Sequence, residues 1–189
     1  MYLLKNKKAL STVVTTLIIL VVAVLLATVV TFYAINVITT RVQQEALAVN
    51  MPHMWYNTSG NWAEGAIEII NTGGKDVVLT QLTVRGQAVA WTNVYYARPG
   101  MALSSDLQVS TIQLGQAGKM NQTILINGTT LTLKQDNTDQ ITIKSGNTVV
   151  LFITNPDSIA LNDVGTTVGI TAFTANAQYY KEVNVQAAQ

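Results

Sequence analysis

Hydrophobic and polar positions divide the chain into two stretches with different periods. Residues 10 to 40, LSTVVTTLIILVVAVLLATVVTFYAINVITT, carry no charge between Lys8 and Arg41. A helix drawn through this run is apolar on every side, so no face is made for water. It would be roughly 46 Å long, against the ~30 Å of a bilayer core. Val, Ile and Thr are mediocre helix formers in water, but lipid enforces the helix because an unpaired peptide group there is costly. The hydroxyls of Thr12, Thr15, Thr16, Thr28 and Thr31 can bond back to the preceding turn. Further on, Ile35, Ile38, Val42, Ala46 and Val49 share one helical stripe, which predicts an amphipathic continuation. No Gly or Pro interrupts residues 10–50, and Asn50-Met51-Pro52 reads as the stop. The expected element is one unbroken helix over 10–50, roughly 60 Å long.

From residue 62 the period shortens to two. Strands are predicted over 63–70, 77–84, 88–95, 107–114, 123–126, 129–133, 140–144, 148–154, 166–174 and 178–185. Turn signals separate them: Thr72-Gly73-Gly74, Arg98-Pro99-Gly100, Asn127-Gly128, Ser145-Gly146-Asn147 and Asn155-Pro156-Asp157. TILI-Asn127-Gly128-TTLTL is the clearest hairpin, since a two-residue type I′ turn favours Asn-Gly. Ten short strands without a helical pattern predict an antiparallel, Ig-like sandwich. The fold class is therefore α+β, with a long N-terminal apolar helix followed by an all-β domain.

Composition narrows the function. Only 11% of the 189 residues are charged and the net charge is +1, so no nucleic-acid partner is expected. The polar surface is mostly uncharged, with 25 Thr, 15 Asn and 13 Gln. The absence of cysteine excludes thiol catalysis, disulfides and Cys-ligated metals, and one histidine excludes multi-His zinc sites. Lys5, Lys7 and Lys8 precede the apolar run and Arg41 alone closely follows it, which predicts an inside N-terminus and an outside C-terminal domain. The run is too long for the apolar region of a secretory signal peptide and has no small-residue exit.

Lys7-Lys8-Ala9, followed at once by Leu10-Ser11-Thr12-Val13-Val14 and the long apolar helix, resembles the class III signal peptide of archaeal type IV pilins. That superfamily includes the archaellins, and the resemblance covers residues 5–50. It implies a leader, 1–9, that a prepilin peptidase removes by cutting after Lys8-Ala9, so that Leu10 opens the mature chain. It further implies a helix over 10–50 that sits first in the membrane and later in a filament core, and an extracellular β-sandwich over 53–189. Leu10, Val14, Leu17, Leu20, Val24, Ala27, Phe32 and Ile35 would be assembly contacts. Val14 stands where bacterial pilins carry a glutamate, and the Gly-Ile-Gly opening frequent in archaellins is absent, which favours a pilus. Residues 165–185 resemble the closing hairpin of archaeal pilin domains. The implied function is structural: a self-polymerising subunit of a surface filament for adhesion or attachment, with no catalytic residues, cofactor or metal. An assembly motor and membrane platform would be its partners besides the peptidase. Two other readings stand beside it: a monomeric, single-pass anchored β-domain that binds a ligand, and an archaellin.

Other candidate chemistry is sparse. His53 is a lone histidine, and Trp55, Trp62, Trp91, Tyr95-Tyr96 and Tyr179-Tyr180 read as core and interface aromatics rather than a glycan-binding face. Asp136-Asn137-Thr138-Asp139 lacks the glycine and distal glutamate of a calcium loop. Glu64 and Glu68 would share one strand face but find no cleft, so no glycosidase pair is expected. Asn57, Asn121 and Asn127 begin three N-glycosylation sequons in the exterior domain.

Overall fold

A computed structural model describes residues 7–110, 114, 121–126, 128–135 and 139–188. The chain divides into two units, residues 1–43 and 44–189.

The first unit is a single helix, α1 (Lys7–Val42), roughly 54 Å long at 1.5 Å per residue. Thr15, Thr16, Thr28, Thr31, Thr39 and Thr40 each donate their hydroxyl to a carbonyl three or four residues back, at 2.8–2.9 Å. These polar groups are thus satisfied within the helix. Its Ser11–Thr40 segment is long and apolar enough to cross a membrane.

The helix ends eight residues before the expected stop. Residues 47–57 form a strand instead, β1 (Leu47–Asn57), and the β-domain begins at residue 44 rather than 53. The stripe of Val42, Ala46 and Val49 also fits a different pattern, since Leu47 and Val49 alternate inward at a period of two. Tertiary pairing decides between them: β1 is hydrogen-bonded on both edges, antiparallel to β2 (Trp62–Asn71) and parallel to β11 (Gln178–Ala188). Pro52 is no helix stop. It occupies a bulge where the β1–β2 register slips between Asn50 and His53, with Met51 at φ +47°, and a bulge is where a strand tolerates a residue without an N–H.

The second unit is a β-sandwich of eleven strands. The others are β3 (Val77–Val84), β4 (Gln87–Ala88), β5 (Val94–Ala97), β6 (Asn121–Ile126), β7 (Thr129–Gln135), β8 (Ile141–Ile143), β9 (Thr148–Thr154) and β10 (Thr167–Thr174). One layer runs β11-β1-β2-β9-β5-β7-β6, the other β4-β3-β10-β11 with β8 also on β3. β11 belongs to both, pairing β10 through Asn184 and β1 from Val185 onward. Every pairing is antiparallel except β1–β11. Between the layers lies a core that includes Met54, Ile67, Ile69, Leu79, Leu82, Leu151 and Ile153.

Most strands fall where the period-two pattern put them. β6 and β7 close through the two-residue Asn-Gly turn, with Ile126 opposite Thr129 and Gly128 at φ +84°. Asn127 itself lies outside the described residues. The strand expected over 88–95 is broken by a 3-10 turn, Trp91–Asn93, because Trp91 packs back against the core rather than alternating. Of the strand expected over 107–114, residues 107–110 are irregular and 111–113 lie outside the described residues. Leu107 and Leu114 are instead lids over a second core on the outer face of the first layer, with Trp55, Ala66, Tyr95, Val150 and Phe152 beneath. Burial on both faces accounts for β9, in which all seven residues are buried.

Candidate functional site

Two features stand apart from ordinary packing. The first is α1. Every residue of its Ser11–Thr40 segment is exposed, including Val24 at 57% and Phe32 at 68%. Val14, Leu17, Leu20, Ala27 and Ile35 are exposed as well. Lys8, Ala9 and Leu10 fall within the first turn of the helix. Residues 1–6 of the expected leader lie outside the described residues.

The second feature is the outer face of β2. There Glu64 and Glu68 do share one side of the strand, but they are buried, at 0% and 1% exposure. They have partners after all. Ser110 donates its N–H to Glu64 Oε1 at 2.8 Å and its hydroxyl to Glu64 Oε2. Leu103 donates its N–H to Glu68 Oε1 at 2.7 Å, while Glu68 Oε2 is buried without a partner among the described residues. Burial pushes the Glu64 carboxyl up to about 7, against the downward pull of the two Ser110 hydrogen bonds. His53 stacks on Trp55 with ring centroids 4.9 Å apart and places Nε2 2.6 Å from Asp106 Oδ1. Asp106 also accepts the N–H of Leu107 at 3.1 Å. Glu64, Glu68 and His53 thus fasten one loop, residues 98–110, over the sheet.

That loop walls a half-open groove of about 850 Å³. β5 and β7 pair only through Tyr95–Gln135 and Tyr96–Lys134; past Ala97 the loop swings away and β7 residues 130–132 form the opposite wall. The Arg98 guanidinium lies 5.0 Å from the centre of the Tyr96 ring and donates to the Thr142 carbonyl at 3.3 Å.

The aromatic residues form no single exposed face. Trp55 and Tyr95 belong to the second core, Tyr56 to the first, and Trp91, Tyr96 and Tyr179 pack against the first from its edges. Asn57 ends β1, its Oδ1 accepting the Gly60 N–H at 2.6 Å, and it is partly exposed. The Asn121 side chain and all of Asn127 lie outside the described residues, as do Asp136, Asn137 and Thr138. Asp139 is exposed. Among the described residues no three His, Asp or Glu side chains gather as a metal-binding group.

The missed features had faint signals. An E-x-x-x-E spacing on a strand reads as a solvent-facing row until something covers it, and the covering loop has no periodicity. Arg85-Gly86, the two-residue β3–β4 turn with φ +53° and +80°, was hidden because Arg is an uncommon first turn residue; its guanidinium is held by Asp163 Oδ1 at 2.7 Å.

No protein-family model and no curated protein matches the chain. Among solved structures, a copper-bound PCuAC domain from PmoF2 aligns over 77% of this chain and all of its own, at 12% identity and a TM-score of 0.34. The ligand binding region of Serine-glutamate repeat protein A (SgrA) of Enterococcus faecium aligns over 76% of this chain and 97% of its own, at 8% identity and a TM-score of 0.28. Likeness at this level bears on neither ligand nor activity.

Proposed function

We propose that the chain is the structural subunit of an extracellular type IV pilus-like filament that polymerises through α1. The observation that carries this reading is the apolar rod itself: thirty residues, Ser11–Thr40, uncharged, unbroken and exposed all round. Each buried Leu or Ile is worth about 1.5–3 kcal/mol relative to water, so the rod needs an apolar surrounding at every stage of the protein's life. Lipid supplies one and a bundle of identical rods supplies another. Assembly is then a transfer between two apolar environments, driven by side-chain packing rather than by escape from water. The rod exceeds a bilayer core by roughly a half, which lets each subunit overlap neighbours above and below.

On this reading the Lys7-Lys8-Ala9 leader is removed before assembly, and the protein passes from the membrane to the cell surface. A prepilin peptidase and a pilus assembly machine are its partners, and adhesion or attachment is the task of the outward β-sandwich. Surface material should contain filaments under the electron microscope. The intact mass of their subunit should begin at Leu10, which leaves eight basic and ten acidic residues and changes the formal charge from +1 to −2. A chain that keeps Lys5 to Lys8 and stays dispersed in the membrane would instead make α1 a plain anchor for a ligand-binding domain.

A further inference from the structure

The groove beside β7 has a lopsided chemistry. Tyr96 and Lys134 are paired across β5–β7, and Arg98 lies over the Tyr96 ring, so both cationic residues stand beside Tyr96, at one end of the groove. Arg98 and Lys134 are exposed, and among the described residues the groove lining includes no Asp or Glu. Along the rest of the walls hydroxyls, among them Ser104 on the loop and Thr130 and Thr132 on β7, alternate with apolar side chains such as Met101 and Leu131. Thr130 lies four residues from Lys134, roughly 13 Å along the strand. Ligands of two to three sugar rings suit a groove of this volume.

Each part of the groove excludes something. Two cations at one end and none farther along among the described lining residues do not suit a polyanion, whose charges would run the full length. A purely apolar ligand would leave the hydroxyls and both cations without partners. The remainder mixes Pro99, Met101 and Leu103 with the hydroxyls, which suits rings that carry C–H groups on their faces and hydroxyls on their edges. One carboxylate followed by sugar rings answers both the cations and this mixed lining. Arg98 is well placed for the carboxylate, because Tyr96 and the Thr142 carbonyl hold its guanidinium plane while further N–H groups remain for a two-point contact.

The wall is also built in advance. Leu103 is fastened by Glu68 and Ser110 by Glu64, both carboxylates buried at a cost that packing alone does not require. Holding the loop before a ligand arrives reduces the ordering cost of binding.

We propose that this groove binds a carboxylated oligosaccharide, with Arg98 and Lys134 on the carboxylate and Ser104, Thr130 and Thr132 on the sugar hydroxyls. Calorimetric titration of the full-length chain in detergent tests it, using two oligosaccharides that carry a single carboxylate, sialyllactose and glucuronosyl-xylobiose, the methyl ester of each, and triglutamate. At least one acid sugar should bind with Kd below about 1 mM, its ester about tenfold more weakly. Arg98→Gln and Lys134→Gln should each weaken binding about five- to tenfold, and Arg98→Lys less, whereas Lys181→Gln on β11 should change nothing. The comparison of acid with ester is made on the unaltered protein, so it holds even if a variant is unstable. The proposal fails if neither acid sugar binds at about 10 mM, if ester and acid bind alike, or if a folded Arg98→Gln protein binds unchanged. Triglutamate binding as tightly as the sugars would overturn it in favour of an acidic peptide site.

Discussion

Glu64 shows how one residue can tie a loop to a pH dependence. Its carboxyl is pushed up to about 7 by burial, above the ordinary carboxylate range. The folded chain therefore holds this proton more tightly than the unfolded chain does. Stability from this group is fully present below the unfolded pKa and is lost as pH rises through the folded one, between about pH 4.5 and pH 7. The full swing amounts to about 3 kcal/mol. Urea melts at pH 5 and pH 8 should show the wild type less stable at pH 8. Glu64→Gln, which can still accept the Ser110 N–H, should flatten that difference; an unchanged difference would assign the pH dependence to other groups. Gly73 is constrained by space rather than charge. A Cβ there would lie 2.7 Å from the Gln44 carbonyl oxygen and 2.8 Å from the Ala46 nitrogen, both backbone atoms. The Thr72 and Gly73 N–H groups both donate to the Ala46 carbonyl at 3.0 Å, so the segment cannot simply retreat. Gly73→Ala should cost about 1–3 kcal/mol, read as a lower melting temperature. An unchanged melting temperature would mean that residues 44–46 yield freely.

At the scale of elements, α1 and β1 are governed by different surroundings. The helix satisfies its own backbone and its threonine hydroxyls, so it needs only an apolar medium. A charge in its middle denies it that medium. Val24→Asp should block filament formation while leaving the β-sandwich folded, because an unpaired ionisable group in an apolar bundle costs several kcal/mol in every subunit. Negative-stain microscopy with circular dichroism on the same sample checks both halves; normal filaments from this variant would place the subunit contacts in the β-domain. β1, by contrast, exists only because β2 and β11 flank it. Gln43, Gln44 and Glu45 are good helix formers, yet Glu45 is taken by the Thr174 hydroxyl, by Asn176 Nδ2 at 3.0 Å and by the Tyr179 hydroxyl at 3.5 Å.

For the molecule as a whole, the domain boundary is the practical consequence. A chain of residues 53–189, the boundary that the helical stripe suggested, would discard residues 47–52 of β1. Leu47 and Val49 are buried, and each contributes about 1.5–3 kcal/mol through burial. Their loss also strips one edge of the C-terminal end of β2, residues 68–71, of the antiparallel partners Leu47 to Asn50. A chain of residues 44–189 should be soluble, rich in β-structure and cooperative in urea. The 53–189 chain should be several kcal/mol less stable or unfolded by the same measurement. Equal stability of the two would show that the first half of β1 is dispensable.

What could be read from residues alone was whatever depends on local pattern or on solvent. A thirty-residue uncharged run must be a helix in an apolar medium, whichever medium that is. Alternation bounded by Gly, Asn and Pro located β3 and β9 at their observed ends and the β6–β7 hairpin at its turn, because such turns are specified by backbone conformations that few residues adopt. The strand β1 was not legible, since Ala46 and Val49 fit a helical stripe while Leu47 and Val49 fit a strand period, and only pairing with β2 and the distant β11 breaks the tie. The same is true of the loop over β2. Glu64 and Glu68 read as a pair on one strand face without a cleft, and it took the chain's return at residues 103 and 110 to bury them and supply their donors. Tertiary structure decided these points because burial and hydrogen-bond partners belong to the assembled fold, not to any segment of it.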